Sequence, residues 1–324
     1  MYSTPEEMKD TLPELIPAIQ TIGLSKSYSP SAVLALDALN VTVRQGEIFG
    51  FLGPNGAGKT TTIRLLVDLV RPTSGHAVVL GMDCNKSSLQ VRQRVGYLSG
   101  EVNLYPNFSG RKLIKLFTSL RPEQVSQEYV MYLCQRLDVD LDTPLGQLSH
   151  GNRQKIGLVL ALMPQPDLLI LDEPTTGLDP LVQHQVLDLL REARSEGRTV
   201  FFSSHVLPDV EQICDRVGII RRGRLAAVEQ VQVLRERRVQ RLRIKFAGPI
   251  QPRTFSSLAG VRLLECTDMT VHLEVTGEPD AVVKAASHYH VVSLESEQPS
   301  LEEVFMAHYQ TTPPEPEQKG ETDA

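Results

Sequence analysis

The sequence predicts an α/β layered fold followed by a smaller α+β unit, on three observations. Short apolar runs recur: IFGFLG (48–53), HAVVLG (76–81), RVGYLS (94–99), LLILDE (168–173) and TVFFSS (199–204). Continuous runs of this kind suit strands buried on both faces, as in a parallel sheet between helices. Helix-like stretches alternate with them over 59–70, 110–120, 127–137, 151–162 and 180–195, the pattern of layered α/β proteins. Finally, the charge reverses sign. Residues 221–245 hold nine Lys/Arg and two Glu, whereas 246–310 hold nine Asp/Glu and three Lys/Arg. The reversal predicts a domain boundary near 232–245.

In the smaller unit RLRIKF, VRLLECT, TVHLEVT and HVVSLES read as strands. Helices are expected after Pro252, over PDAVVKAASHY and from Pro299. The βαββαβ order resembles a ferredoxin-like unit. The division expected is a loose N-terminal arm (1–17), a large domain (18–240), a small accessory domain (241–310) and a disordered, proline- and charge-rich tail (311–324).

Composition narrows the function. The 324 residues are 41% hydrophobic and 22% charged, which excludes a wholly disordered or collagen-like chain. A net charge of −6 argues against a basic nucleic-acid binder, so no nucleic-acid partner is expected. The basic run 221–245 reads as a solvated helix face. Cys84, Cys134, Cys214 and Cys266 form no CxxC pair, which argues against a disulfide scaffold or zinc ribbon and fits a reducing cytosol. His288 and His290 have no third ligand nearby in sequence and read as strand alternation. The start of the chain is acidic rather than basic-then-apolar, so no secretory signal is expected. No run reaches the ~18 apolar residues that a membrane span needs; if the protein serves a membrane process, another chain must supply the membrane part.

The strongest motif is Gly53-Pro54-Asn55-Gly56-Ala57-Gly58-Lys59-Thr60, followed by Thr61. It matches G-x-x-x-x-G-K-[ST] between an apolar strand and a helix. Glycines let backbone N–H groups turn toward phosphate oxygens, and the helix N-terminus adds its positive end. Lys59 is expected to reach the β- and γ-phosphates and Thr60 to bind Mg2+. In LLILDEP (168–174) two carboxylates emerge from a buried strand. Asp172 is suited to the Mg2+ shell and Glu173 to polarising an attacking water.

With these motifs stand LSHGNRQ (148–154), Gly177-Leu178-Asp179 and Ser203-Ser204-His205. Taken in order over residues 18–240 they resemble one complete ATP-binding cassette (ABC). The variant signature, the lack of a membrane span and the ending PSLEEVFMAHY (299–309) resemble ATPase subunits of ABC-2 type exporters. The resemblance implies a P-loop NTPase cassette, with a mixed-sheet core and a helical subdomain. It implies ATP and Mg2+ as ligands, dimerisation with a second copy or a similar ATPase subunit, and a separate transmembrane permease. It places the protein on the cytoplasmic face of the membrane. Ser149 and Gly151 would face the γ-phosphate held by the partner subunit. Asp179 would cross the dimer interface, His205 would sense the γ-phosphate, and Tyr28 would stack on adenine.

Other classes fit less well. Ribosome-acting relatives usually carry two cassettes in one chain, and DNA-repair relatives carry a long coiled-coil insertion. Glu173 and His205 argue against a regulatory module without turnover. One position departs from the family pattern. Where cassettes usually place a Mg2+-ligating glutamine, this chain has Gly100. Two replacements stay open, a water or the adjacent Glu101. Strand-end alternation and charge repulsion from Asp172 and Glu173 favour the water. The loop 100–106 is expected to face the membrane partner.

Overall fold

The computed structural model describes residues 16–29, 34–102, 105–121, 125–236 and 239–297. The helix expected from Pro299, the tail 311–324 and residues 1–15 of the arm lie outside them. The chain divides into two compact units, 1–231 and 232–324.

The larger unit opens with β1 (Ile19–Lys26), β2 (Leu36–Leu39) and β3 (Thr42–Val43). Strand β4 (Ile48–Leu52) leads through the glycine-rich loop into α1 (Lys59–Leu66). Next come β5 (Ser74–Val79), β6 (Met82–Asp83), α2 (Ser88–Arg94) and β7 (Val95–Leu98). Three helices follow, α3 (Gly110–Leu120), α4 (Gln127–Arg136) and α5 (His150–Leu162). The chain returns through β8 (Leu168–Asp172), α6 (Pro180–Ser195), β9 (Thr199–Ser204), α7 (Leu207–Ile213), β10 (Arg216–Arg221) and β11 (Arg224–Gln230).

One sheet has the order β11-β10-β4-β9-β8-β7. It is parallel from β10 to β7, with β11 antiparallel at the edge. Every residue of β4, β8 and β9 is buried, as continuous apolar runs require. HAVVL departs from expectation. Its strand β5 lies in a second sheet, antiparallel to β1 and β6. There Ala77 and Val79 are buried while His76 is exposed, because this sheet is covered on one face only. Helix α1 ends at Leu66 rather than near 70, since Asp68 turns to φ +54. Helices α3 and α5 share a small core of Leu113, Leu145, Leu148 and Ile156, separate from the main one. In the main core Phe201 packs between Phe49 and Phe51, with ring centroids at 5.9 and 5.4 Å.

At the junction of the units lies α8 (Val231–Glu236), followed by β12 (Val239–Phe246), α9 (Arg253–Ser256), β13 (Val261–Cys266), β14 (Thr270–Thr276), α10 (Asp280–Ala286) and β15 (Val291–Glu297). The order is βαββαβ from β12 onward. Its sheet, β13-β14-β12-β15, is antiparallel throughout. Leu242, Ile244, Phe246, Val271, Leu273 and Val275 form one buried face with Phe255 and Val282. Position 240 falls inside the continuous strand β12, downstream of the observed division. The basic run expected on one helix face is instead split among β10, β11, α8 and β12. Its alternating residues Leu242, Ile244 and Phe246 need a period of two to reach a sheet core.

Among the described residues no helix is long and apolar enough to cross a membrane. Cys84, Cys134, Cys214 and Cys266 are free, and burial pushes the Cys84 thiol up to about 12. Phe201→Ala should cost about 3–5 kcal/mol in urea unfolding, since Phe201 is 1% exposed and holds two rings in place.

Candidate functional site

The phosphate loop is set by what surrounds it. Gly53 donates its N–H to the Ser204 carbonyl (3.2 Å), tying the loop to β9. Gly58 takes φ 111 at the N-terminus of α1, and a Cβ there would stand 2.8 Å from the Ala35 carbonyl oxygen, so only glycine fits. Asn55, Gly56 and Thr60 are exposed around the loop, whereas Lys59 is buried. The Lys59 ammonium donates to the carbonyls of Gly53 (2.7 Å) and Pro54 (3.3 Å) and pairs with Glu173 Oε1 at 3.3 Å. Tyr28 is exposed, which excludes a core role. Its hydroxyl lies 3.3 Å from that of Thr61.

The two acids come from the end of β8. Asp172 is buried, and its Oδ1 accepts from the Ser203 hydroxyl at 2.5 Å. Burial, then the Asp172 charge, push the Tyr97 phenol up. A Cβ on Gly100 would stand 3.2 Å from Asp172 Oδ2, so this glycine does border the carboxylate, while Glu101 is exposed. Glu173 adopts φ +50, an unusual conformation for a side chain of its size. Its N–H donates to Ser203 Oγ (3.1 Å) and its Oε2 accepts from Thr176 Oγ1 (3.1 Å). His205 Nδ1 lies 2.7 Å from Glu173 Oε2. Thus Lys59, Glu173 and His205, far apart in sequence, meet at one carboxylate.

Ser149, Gly151 and Asp179 gather in a second cluster. Ser149 caps α5, accepting from Asn152 N–H (3.2 Å), and Asp179 caps α6, accepting from Leu181 and Val182 N–H (both 3.1 Å). A Cβ on Gly151 would stand 2.7 Å from the Gly177 carbonyl oxygen, so α5 begins directly against the 174–179 turn. Two glutamines that sequence reading passes over hold this turn. Gln154 donates to the carbonyls of Glu173 (3.2 Å) and Pro174 (3.4 Å), and Gln183 to those of Thr175 (3.3 Å) and Leu178 (3.0 Å). Thr175 Oγ1 donates to Asp209 (2.7 Å). Gln154 closes the LSHGNRQ stretch and Gln183 lies in no motif; the sequence assigns neither a role because both bond to backbone carbonyls.

A phosphate loop at the end of one central strand, with paired acids at the end of another and a capped signature helix beside them, defines an ATP-binding cassette. Residues 36–176 match the family model described as ABC transporter. A Nod factor export ATP-binding protein of Burkholderia lata is 34% identical over 249 residues, covering 76% of this chain and 79% of that protein. The chain belongs to the ABC transporter family, among its ATP-binding proteins. It is also 36% identical over 236 residues to an uncharacterised ABC transporter ATP-binding protein of Synechocystis, spanning 66% of that protein's length. Among solved structures, an ATP binding subunit of an ABC transporter superposes with TM-score 0.61 at 27% identity, over 67% of this chain and 92% of that one.

Gly58→Ala should lower stability by about 1–3 kcal/mol through its positive φ and the Ala35 contact, read as a lower urea midpoint together with weaker nucleotide binding.

Proposed function

We propose that the chain is the ATP-hydrolysing subunit of an export complex, acting on a separate membrane permease. The observation carrying this reading is the meeting of Lys59 and His205 on the Glu173 carboxylate, at 3.3 and 2.7 Å, beside the phosphate loop. Lys59 is satisfied by loop carbonyls and Glu173. Phosphate oxygens offer it more charge, so Lys59 turns to the β- and γ-phosphates and Glu173 is released. Glu173 then takes the proton of the attacking water, and His205 holds its carboxylate in line. The Thr60 hydroxyl and Asp172 carboxylate are hard oxygen donors of the kind Mg2+ selects. Bound Mg2+ would neutralise phosphate charge; Gly100 brings no side-chain oxygen there, which leaves that position to water. The Tyr28 ring is exposed, with the Lys26 ammonium 5.3 Å from its centroid, and would offer a face to adenine.

Two copies would sandwich two ATP molecules, each between one phosphate loop and the Ser149–Gly151 segment of the other copy. ATP favours that closed state because it touches both faces, and hydrolysis removes the bridge. The Burkholderia lata relative is named for export, which supports the direction. A groove of about 320 Å3 supports a permease contact on the cytoplasmic side of the membrane. It is lined by Leu69, Tyr97, Val102, Phe117 and Met163 and borders the loop that starts at Gly100. Leu69 and Phe117 are partly exposed there. The smaller unit, ferredoxin-like in element order, carries none of these groups and is assigned a regulatory or dimer-stabilising role.

Lys59→Ala should abolish productive ATP binding. Glu173→Gln should bind ATP yet turn over at least about a hundredfold more slowly, because an amide cannot take the proton; phosphate release at saturating Mg-ATP measures both, and wild-type rates would reject the assignment. Phe117→Glu should leave ATP hydrolysis by the isolated chain unchanged while abolishing its copurification with the permease.

A further inference from the structure

Gln154 is fully buried on α5, five residues beyond Ser149, and both of its amide contacts cross to another part of the fold. Its Nε2 donates to the carbonyls of Glu173 (3.2 Å) and Pro174 (3.4 Å). Two carbonyl partners settle the amide's orientation, since only its nitrogen has protons to give. That leaves Oε1 buried, with no hydrogen-bond partner among the described residues. A buried acceptor without a partner works against stability. A methionine of the same length would remove that orphan but take the donor from the Glu173 and Pro174 carbonyls, so what the amide contributes lies in the two carbonyls it holds.

Its effect falls on Glu173. This residue holds φ +50, a conformation that persists only when its surroundings enforce it. The peptide groups on either side of Glu173 are both gripped. Ser203 on β9 accepts from its N–H at 3.1 Å, and Gln154 on α5 donates to its carbonyl at 3.2 Å. With both ends held, the side chain has one direction to take, toward Lys59 and His205. Thr176 N–H also donates to the Glu173 carbonyl (3.2 Å), so loss of the Gln154 amide removes one of its two holds and, with it, the tie to α5.

We propose that Gln154 is a positioning residue that sets the carboxylate of Glu173 and makes that setting depend on where α5 stands. The proposal rests on the reading of Glu173 as the base. Helix α5 begins at Ser149 and Gly151 and abuts Gly177 with no room for a Cβ. A shift of that helix when its N-terminus meets a nucleotide therefore moves the Glu173 carbonyl through the Gln154 amide. Each hydrolytic site thus acquires a mechanical link to the signature segment of its own chain.

The test is steady-state ATP hydrolysis by the full chain carrying Gln154→Met. The expected result is a fall in kcat of about ten- to a hundredfold, with the ATP KM within about twofold of wild type and the protein fully folded at the assay temperature. A merely structural role would disturb KM together with kcat, in proportion to the loss of folded protein. Gln154→Glu keeps the shape but sets a carboxylate against the two carbonyls, and it decides the matter if the methionine variant does not fold. Wild-type kcat in either folded variant overturns the proposal, as does a loss of kcat that tracks a loss of folded protein. Glu173→Gln is measured alongside. An inactive Glu173→Gln with a fully active Gln154→Met means the tether alone is wrong, whereas an active Glu173→Gln means the base was misassigned.

Discussion

A buried ammonium and a carboxylate, Lys59 and Glu173, face each other across 3.3 Å, and the larger unit is arranged to keep them there. Lys59 is 5% exposed and Glu173 19%, so the ammonium in particular needs an anionic or carbonyl partner in that place. This constrains the sheet. Strands β4 and β8 both flank β9, with Leu52 level with Ser204 and Asp172 level with Ser203. The two serines are small enough to sit between the phosphate loop and the acids. Ser204 offers its carbonyl to Gly53, while Ser203 serves both Asp172 and Glu173. A large apolar side chain at either place would separate the two strand ends and leave their polar groups unpaired.

The second cluster is built on different physics. Ser149 and Asp179 bond to the first turns of α5 and α6, so both have a structural duty apart from any ligand. Capping frees the remaining N–H groups at those helix ends to point outward, which is what an anion site needs. The close approach of Gly151 to Gly177 then seats the start of α5 directly against the 174–179 turn.

In the smaller unit the charge reversal that marks a boundary in sequence becomes a pairing in space. Arg241 of β12 lies 3.9 Å and Arg262 of β13 3.6 Å from Glu274, the one acid of β14. Partly exposed pairs of this kind contribute little to stability. The unit is held by its buried face, and the charges set the character of the open one.

Several features were legible in the residues alone. The buried strands of the central sheet announce themselves as unbroken apolar runs, because a strand covered on both faces has no polar side to show. The phosphate loop and the acids of β8 are legible because their chemistry demands fixed residue types at fixed spacing, and helices such as α3 and α6 because local periodicity and caps specify them. HAVVL misled because an apolar run does not reveal whether its sheet has one covered face or two. That depends on strand pairing, which is nonlocal. Whether Tyr28 is buried or exposed, and that Gly100 borders Asp172, were likewise settled only by the fold. The same holds for His205 and Lys59 converging on Glu173, and for Gln154 gripping its backbone. Each of these contacts joins residues distant in the chain, several through backbone atoms that every residue shares, so no side-chain pattern encodes them; the chain determined which groups exist, and only its tertiary packing decided which of them meet.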